Sequence, residues 1–83
     1  MKPIVFELFA NLERLAGTKE CRIDADGGVA TIGDALGLLA QAHPELAGSL
    51  ERCACVSGDT IVRRADPVPA DGRIALLPPV AGG

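Results

Sequence analysis

The stretch Thr31-Ile32-Gly33-Asp34-Ala35-Leu36-Gly37-Leu38-Leu39-Ala40-Gln41-Ala42-His43-Pro44 decides how this chain folds. Thr31 with an acidic residue three positions on reads as a capping box, in which two side chains take up backbone N–H groups that a first helical turn leaves without partners. Ile32, Ala35, Leu36, Leu39 and Ala40 then recur at helical spacing and form one apolar stripe. Pro44 ends the helix at His43, because a proline ring disfavours helical dihedrals in the residue before it. Gly33 and Gly37 each weaken the helix by about 1 kcal/mol relative to alanine, so packing against the rest of the chain has to hold it.

Working outward, the flanks read as short strands. In residues 2–9, Ile4, Phe6 and Leu8 alternate with Val5, Glu7 and Phe9, which predicts a strand whose first set faces the core. Residues 11–16 place Leu12 and Leu15 one helical turn apart before Gly17, a short helical turn closed by glycine. Cys21, Ile23 and Ala25 alternate with Arg22 and Asp24 in a second strand that runs into Asp26-Gly27-Gly28. After the helix, residues 52–57 and 60–63 predict two strands joined at Gly58-Asp59, and residues 73–77 a last strand released by Gly72. Residues 66–71, with Pro67 and Pro69, read as an irregular connection. The order strand, strand, helix, strand, strand, strand predicts an α+β domain, a mixed sheet with one main helix packed on one face. That is the order of a ubiquitin-like β-grasp, here over residues 1–77, with an extended C-terminal tail at 78–83. A ferredoxin-like split βαβ would need a second full helix before the last strand, and the proline-rich connection cannot supply it.

Eighty-three residues make one small domain with no room for a deep substrate cavity. Hydrophobic residues at 48% and charged ones at 23% are those of an ordinary globular chain. The net charge of −3 argues against nucleic acid, and Arg63-Arg64, the nearest thing to a basic patch, reads as a solvated turn. With Phe6 and Phe9 as the whole aromatic complement, base-stacking platforms are absent too. No apolar run approaches the length of a membrane span, and the first nine residues do not read as a signal peptide. Three cysteines, an odd number, point to a reducing compartment and hence the cytoplasm.

Catalytic constellations are scarce. His43 is the only base available to a triad, and it reads better as a residue at a helix C-terminus, where the dipole favours it. Gly27, Gly28 and Gly33 lack the Lys and Ser/Thr of a phosphate-binding loop. Cys53 and Cys55 would share a strand face, but with Cys21 they fall short of the four ligands of a zinc or iron–sulfur site, so no metal site is expected. They read as small buried hydrophobes.

The end of the chain is different. Pro78 and Pro79 make a stiff spacer, after which side chains shrink through Val80 and Ala81 to Gly82 and Gly83. Six extended residues reach about 20 Å at most, enough to carry a terminal carboxyl into a channel too narrow for a Cβ. A free carboxylate is a poor electrophile until a partner converts it to an acyl adenylate. Gly83 is therefore the candidate reactive residue, with Pro78, Pro79, Val80, Ala81 and Gly82 as the segment a partner would grip.

The run Ile74-Ala75-Leu76-Leu77-Pro78-Pro79-Val80-Ala81-Gly82-Gly83, with Leu15-Ala16-Gly17-Thr18 after the first strand, resembles the small sulfur-carrier subunit of molybdopterin synthase, the MoaD/ThiS type. The resemblance covers the chain in length and element order, and Pro-Pro-Val-x-Gly-Gly is its most specific part. Leu76 and Leu77 stand where many members have an aromatic pair, and Arg73 where an acidic residue follows the glycine, differences that touch the interface. The resemblance implies that a ubiquitin-activating-type adenylyltransferase (MoeB-type) spends ATP to adenylate Gly83, and that a cysteine desulfurase or related donor supplies sulfur. It further implies that the Gly83 thiocarboxylate enters the large synthase subunit (MoaE-type) and passes sulfur to a cyclic pyranopterin monophosphate, in molybdenum cofactor biosynthesis. The chain itself would bind no cofactor and have no independent activity. In a β-grasp the first and last strands run side by side, so Phe9 and Leu77, both out of phase with the core-facing sets, would form an apolar docking patch at the root of the tail. Rival readings are a carrier for thiamine synthesis, tRNA thiolation, cysteine synthesis or protein conjugation, and a passive ubiquitin-like module whose tail never reacts.

Overall fold

The computed structural model of the chain describes residues 3–24 and 29–78. Its strands are β1 (Ile4–Leu8), β2 (Glu20–Ile23), β3 (Ala54–Ser57), β4 (Thr60–Val62) and β5 (Arg73–Leu77), and its helices are α1 (Asn11–Ala16), α2 (Ile32–Ala42) and α3 (Ala47–Leu50). They form a five-stranded sheet in the order β2-β1-β5-β3-β4. β1 and β5 pair in parallel, with Phe6 opposite Ile74 and Leu8 opposite Leu76, and the other three pairings are antiparallel. This mixed sheet, covered on one face by α2, is the β-grasp expected from the element order.

Parity along the strands decides what is buried. Phe6 and Leu8 of β1, Cys21 and Ile23 of β2, Cys55 of β3, and Ile74 and Leu76 of β5 all turn to the covered face and are buried. From α2, Ile32, Ala35, Leu36 and Leu39 meet them, the stripe read from the sequence. Leu12 of α1, with Leu46 and Leu50 after α2, closes the ends of the core.

The start of α2 is built as the capping box predicts. Asp34 N donates to Thr31 Oγ1 at 3.2 Å, while Ala30 N and Thr31 N donate to Asp34 Oδ2 at 3.1 and 3.2 Å. The connection after β4 supplies what the box does not reach: Ile32 N donates to Asp66 O and Gly33 N to Arg64 O, each at 2.9 Å. That approach explains Gly33, because a Cβ there would stand 3.3 Å from the Arg64 carbonyl oxygen.

Four expectations change. β1 stops at Leu8, so Phe9 lies outside the strand, and β3 begins at Ala54 because Arg52 N and Cys53 N are spent on Ser49 O and Leu50 O at the close of α3. Residues 44–50, to which the sequence assigns no element beyond Pro44 ending the main helix at His43, form a 3₁₀ turn (Pro44–Leu46) that runs into α3. Arg64 is no mere solvated turn: its guanidinium donates to the Leu50 carbonyl and its own carbonyl caps α2. The expectations for Ala25 and for residues 26–28 lie outside the described residues.

Two predictions follow from this scaffold. Gly72 has φ +68°, its carbonyl accepts from Val5 N at 2.8 Å, and an added Cβ would stand 2.9 Å from the Pro3 carbonyl oxygen. Gly72→Ala is therefore expected to lower stability by about 2–4 kcal/mol in denaturant unfolding, the sum of a positive-φ penalty and a backbone clash. The N–H bonds that Ala30 and Thr31 donate to Asp34 Oδ2, with a smaller contribution from the Thr31 hydroxyl, hold the Asp34 carboxyl below the usual carboxylate range. A lowered folded-state pKa stabilises above the unfolded value and ceases to as pH falls through the folded one. Asp34→Asn should thus melt below wild type at neutral pH, the two melting curves converging in acid.

Candidate functional site

The parallel pairing of β1 and β5 brings the two ends named in the sequence together. Leu8 is opposite Leu76, so Phe9 and Leu77, each one residue further on, sit at the same end of the sheet, 44% and 41% exposed. Pro78 follows outside the strand, half-buried. Pro79, Val80, Ala81, Gly82 and Gly83 lie outside the described residues.

The uncovered face of the sheet divides into halves of different chemistry. On β2, β1 and the start of β5, Arg73 Nη2 lies 2.9 Å from both Glu7 Oε2 and Glu20 Oε2, a three-strand ionic cluster that keeps the guanidinium charged. All three side chains are well exposed, so the cluster orients charges more than it stabilises the fold. The other half is apolar. Ile61 of β4 is opposite Val56 of β3, Val56 is opposite Ala75 of β5, and Ala54 is opposite Leu77, all on the face away from α2. Ile61 is 75% exposed. The exposed apolar surface that begins at Phe9 and Leu77 therefore continues across β3 to the edge strand, taking in Ile61 and Val56, which the reading of the sequence missed. Strand alternation could have placed them only once the β3–β4 register was known.

The remaining chemistry-bearing side chains are engaged elsewhere. Cys21, Cys53 and Cys55 are all buried free thiols. Burial pushes each thiol pKa up, aided at Cys21 by Glu45 and at Cys53 by Cys55, so none is a ready thiolate. Cys53 Sγ also donates to the Ser49 carbonyl at 3.1 Å. His43 caps α2, its N–H donating to Leu39 O, and its ring Nδ1 lies 3.3 Å from Glu45 Oε2. A surface depression of about 490 Å³ lies along α2 between Val29, Asp34 and Leu38, and Asp34 is already engaged in the capping box.

A β-grasp with an apolar outer half-face leading to its last residues is the build of ubiquitin-like carriers and modifiers, and the comparisons with known proteins agree. The sequence profile of the ThiS family matches residues 6–83, and the chain belongs to that family. Small archaeal modifier protein 1 of Haloferax volcanii is 34% identical over 86 residues, covering 94% of this chain and 98% of its own. The crystal structure of the same Haloferax volcanii protein superposes with a TM-score of 0.82 at 31% identity, over 96% of this chain and 100% of that one. The complex of subunits 1 and 2 of the molybdopterin-converting factor of Helicobacter pylori contains a chain that matches with a TM-score of 0.66 at 22% identity, over 98% and 99%. The chain is thus a ubiquitin-like member of the sulfur-carrier and modifier proteins.

The two faces should respond differently to truncation. Ile61→Ser is expected to change unfolding free energy by no more than about 0.5 kcal/mol, the range of exposed substitutions. Leu76→Ala, one residue from the tail's root but fully buried, should cost about 2–5 kcal/mol in the same assay.

Proposed function

We propose that the chain is the sulfur carrier of a molybdopterin synthase, with the Gly83 carboxyl as the group that reacts. The observation that carries the reading is that β5, at the centre of the sheet, ends at the same end as Phe9, so the residue from which the Gly-Gly segment follows in sequence belongs to an exposed apolar surface. In the first step the carboxylate attacks the α-phosphate of ATP on a separate adenylating enzyme, giving the acyl adenylate and pyrophosphate. Sulfide from a cysteine desulfurase or related donor then displaces AMP, leaving a thiocarboxylate. That sulfur passes to a cyclic pyranopterin monophosphate inside a large synthase subunit, which supplies the acid–base groups; the presence of a second subunit in the Helicobacter pylori complex supports a partner of that kind. The protonated, buried thiols leave the chain without a competing sulfur nucleophile, and their reduced state suits the cytoplasm.

A second reading has its own support. The likeness to a protein named a small archaeal modifier favours transfer of the same activated carboxyl to an amine, which would join Gly83 to another protein. Both readings share the adenylation step and part at the acceptor.

Intact mass after incubation with the adenylating enzyme, ATP and a sulfide donor should show one oxygen of Gly83 replaced by sulfur. The sulfurated chain, mixed with large subunit and cyclic pyranopterin monophosphate, should return to its original mass as sulfur leaves. Return of the mass only with the pterin present favours the synthase, whereas Gly83 isopeptides on cellular lysines favour the modifier. An unchanged mass with pyrophosphate released would sink the carrier reading alone, and no pyrophosphate release would sink both readings and leave a passive interaction module.

A further inference from the structure

Among the described residues, Ala10 is the one residue other than glycine with a positive φ, at φ 54° and ψ −123°. Those are the angles of the second residue of a type II′ turn, a position that glycine dominates because an L side chain is strained there. The turn is closed, with Leu12 N donating to Phe9 O at 3.1 Å and Arg14 N to Ala10 O at 3.3 Å. Its surroundings force it. Leu8, whose N–H donates to Lys19 O at 2.8 Å, and Leu12 are both locked in the core, so residues 9–11 alone must carry the chain out of a central strand and into α1. Strain of this kind persists only where the neighbouring structure imposes it, and it gathers at sites that must hold a geometry.

The side chain left exposed before this turn is Phe9, at the same end of the sheet as Leu77. We infer that Ala10 is a positioning residue: its turn fixes Phe9 at the exit of the C-terminal segment, presenting a preset apolar contact to the enzyme that adenylates the chain. The inference rests on the carrier reading above. Glycine would accept the same angles without strain, but it would also open other conformations to the Phe9–Ala10 link, and a contact that must be ordered during docking binds more weakly than one already in place.

The test uses the full chain as wild type, as Ala10→Gly, and as a synthetic chain with D-alanine at position 10, which favours positive φ while keeping the methyl group. Thermal melting and the KM and kcat of pyrophosphate release with the adenylating enzyme are measured for each. Ala10→Gly is expected to raise Tm by about 4 °C or more. It should also raise KM for the chain about three- to tenfold while kcat stays within about twofold. The D-alanine chain should melt higher than wild type and keep the wild-type KM. In a Phe9→Ala background, Ala10→Gly should have no further effect on KM, because the two residues act as one. A lower Tm for Ala10→Gly, an unchanged KM, or a KM effect that persists without Phe9 would each overturn the inference. If the wild-type chain itself releases no pyrophosphate, the carrier reading fails before any substitution is compared, and the inference goes with it.

Discussion

The parallel pairing of β1 with β5 is the constraint on which the remainder of the molecule depends. It joins residues 5–8 to residues 73–76, so nearly the whole chain has to be looped out between two central strands before that ladder can form. Once formed, it assigns every other element a place: β2 on one flank, the β3–β4 hairpin on the other, and α2 across the single face to which Phe6, Leu8, Ile74 and Leu76 turn. The pairing also fixes a direction. Because the strands are parallel, the C-terminal end of β5 and the first residue after β1 emerge together, and exposed Phe9 and Leu77 share one end of the sheet without any dedicated element to bring them there. The close approach of Gly72 to the Pro3 carbonyl, at the opposite end of the same pair, shows how tightly this ladder begins.

Local signals carried most of this architecture. The capping box at Thr31 and Asp34, the stripe on α2, the glycine after α1 and the alternation in β1 and β5 are each set by residues within a turn or two of one another, and each was legible. What was not legible is what depends on distant partners. Pro44 ends one helix and also opens the next turn, because a first helical position needs no N–H, and from the sequence those two roles look alike. The acceptors for Ile32 N and Gly33 N come from Asp66 and Arg64, more than thirty residues away, so the proline-rich connection reads as formless until the fold brings it to the helix. The candidate site divides along the same line. Phe9 and Leu77 were found because the fold class alone places them, whereas Val56 and Ile61 needed the register of a three-residue edge strand, in which a slip by one position would hide both.

A domain this small keeps a narrow stability margin, since it buries little more than 60% of the surface its unfolded chain exposes. Side chains on the outer half-face therefore count for something: Ile61 and Leu77 leave apolar area in water, and Ala10 holds a strained angle, in a chain with little stability to spare. Neither exposed side chain is required by the core, whose members lie on the other side of the same strands. The ionic cluster of Glu7, Glu20 and Arg73 marks where that apolar area stops, since charges paired across three exposed strands keep the neighbouring half of the sheet hydrated. The sheet thus separates two demands along a single parity: one face answers to folding, and the other is free to answer to a partner. Under the carrier reading the reactive step falls to other chains, and what the described residues contribute is the direction in which β5 ends, fixed by its pairing with β1.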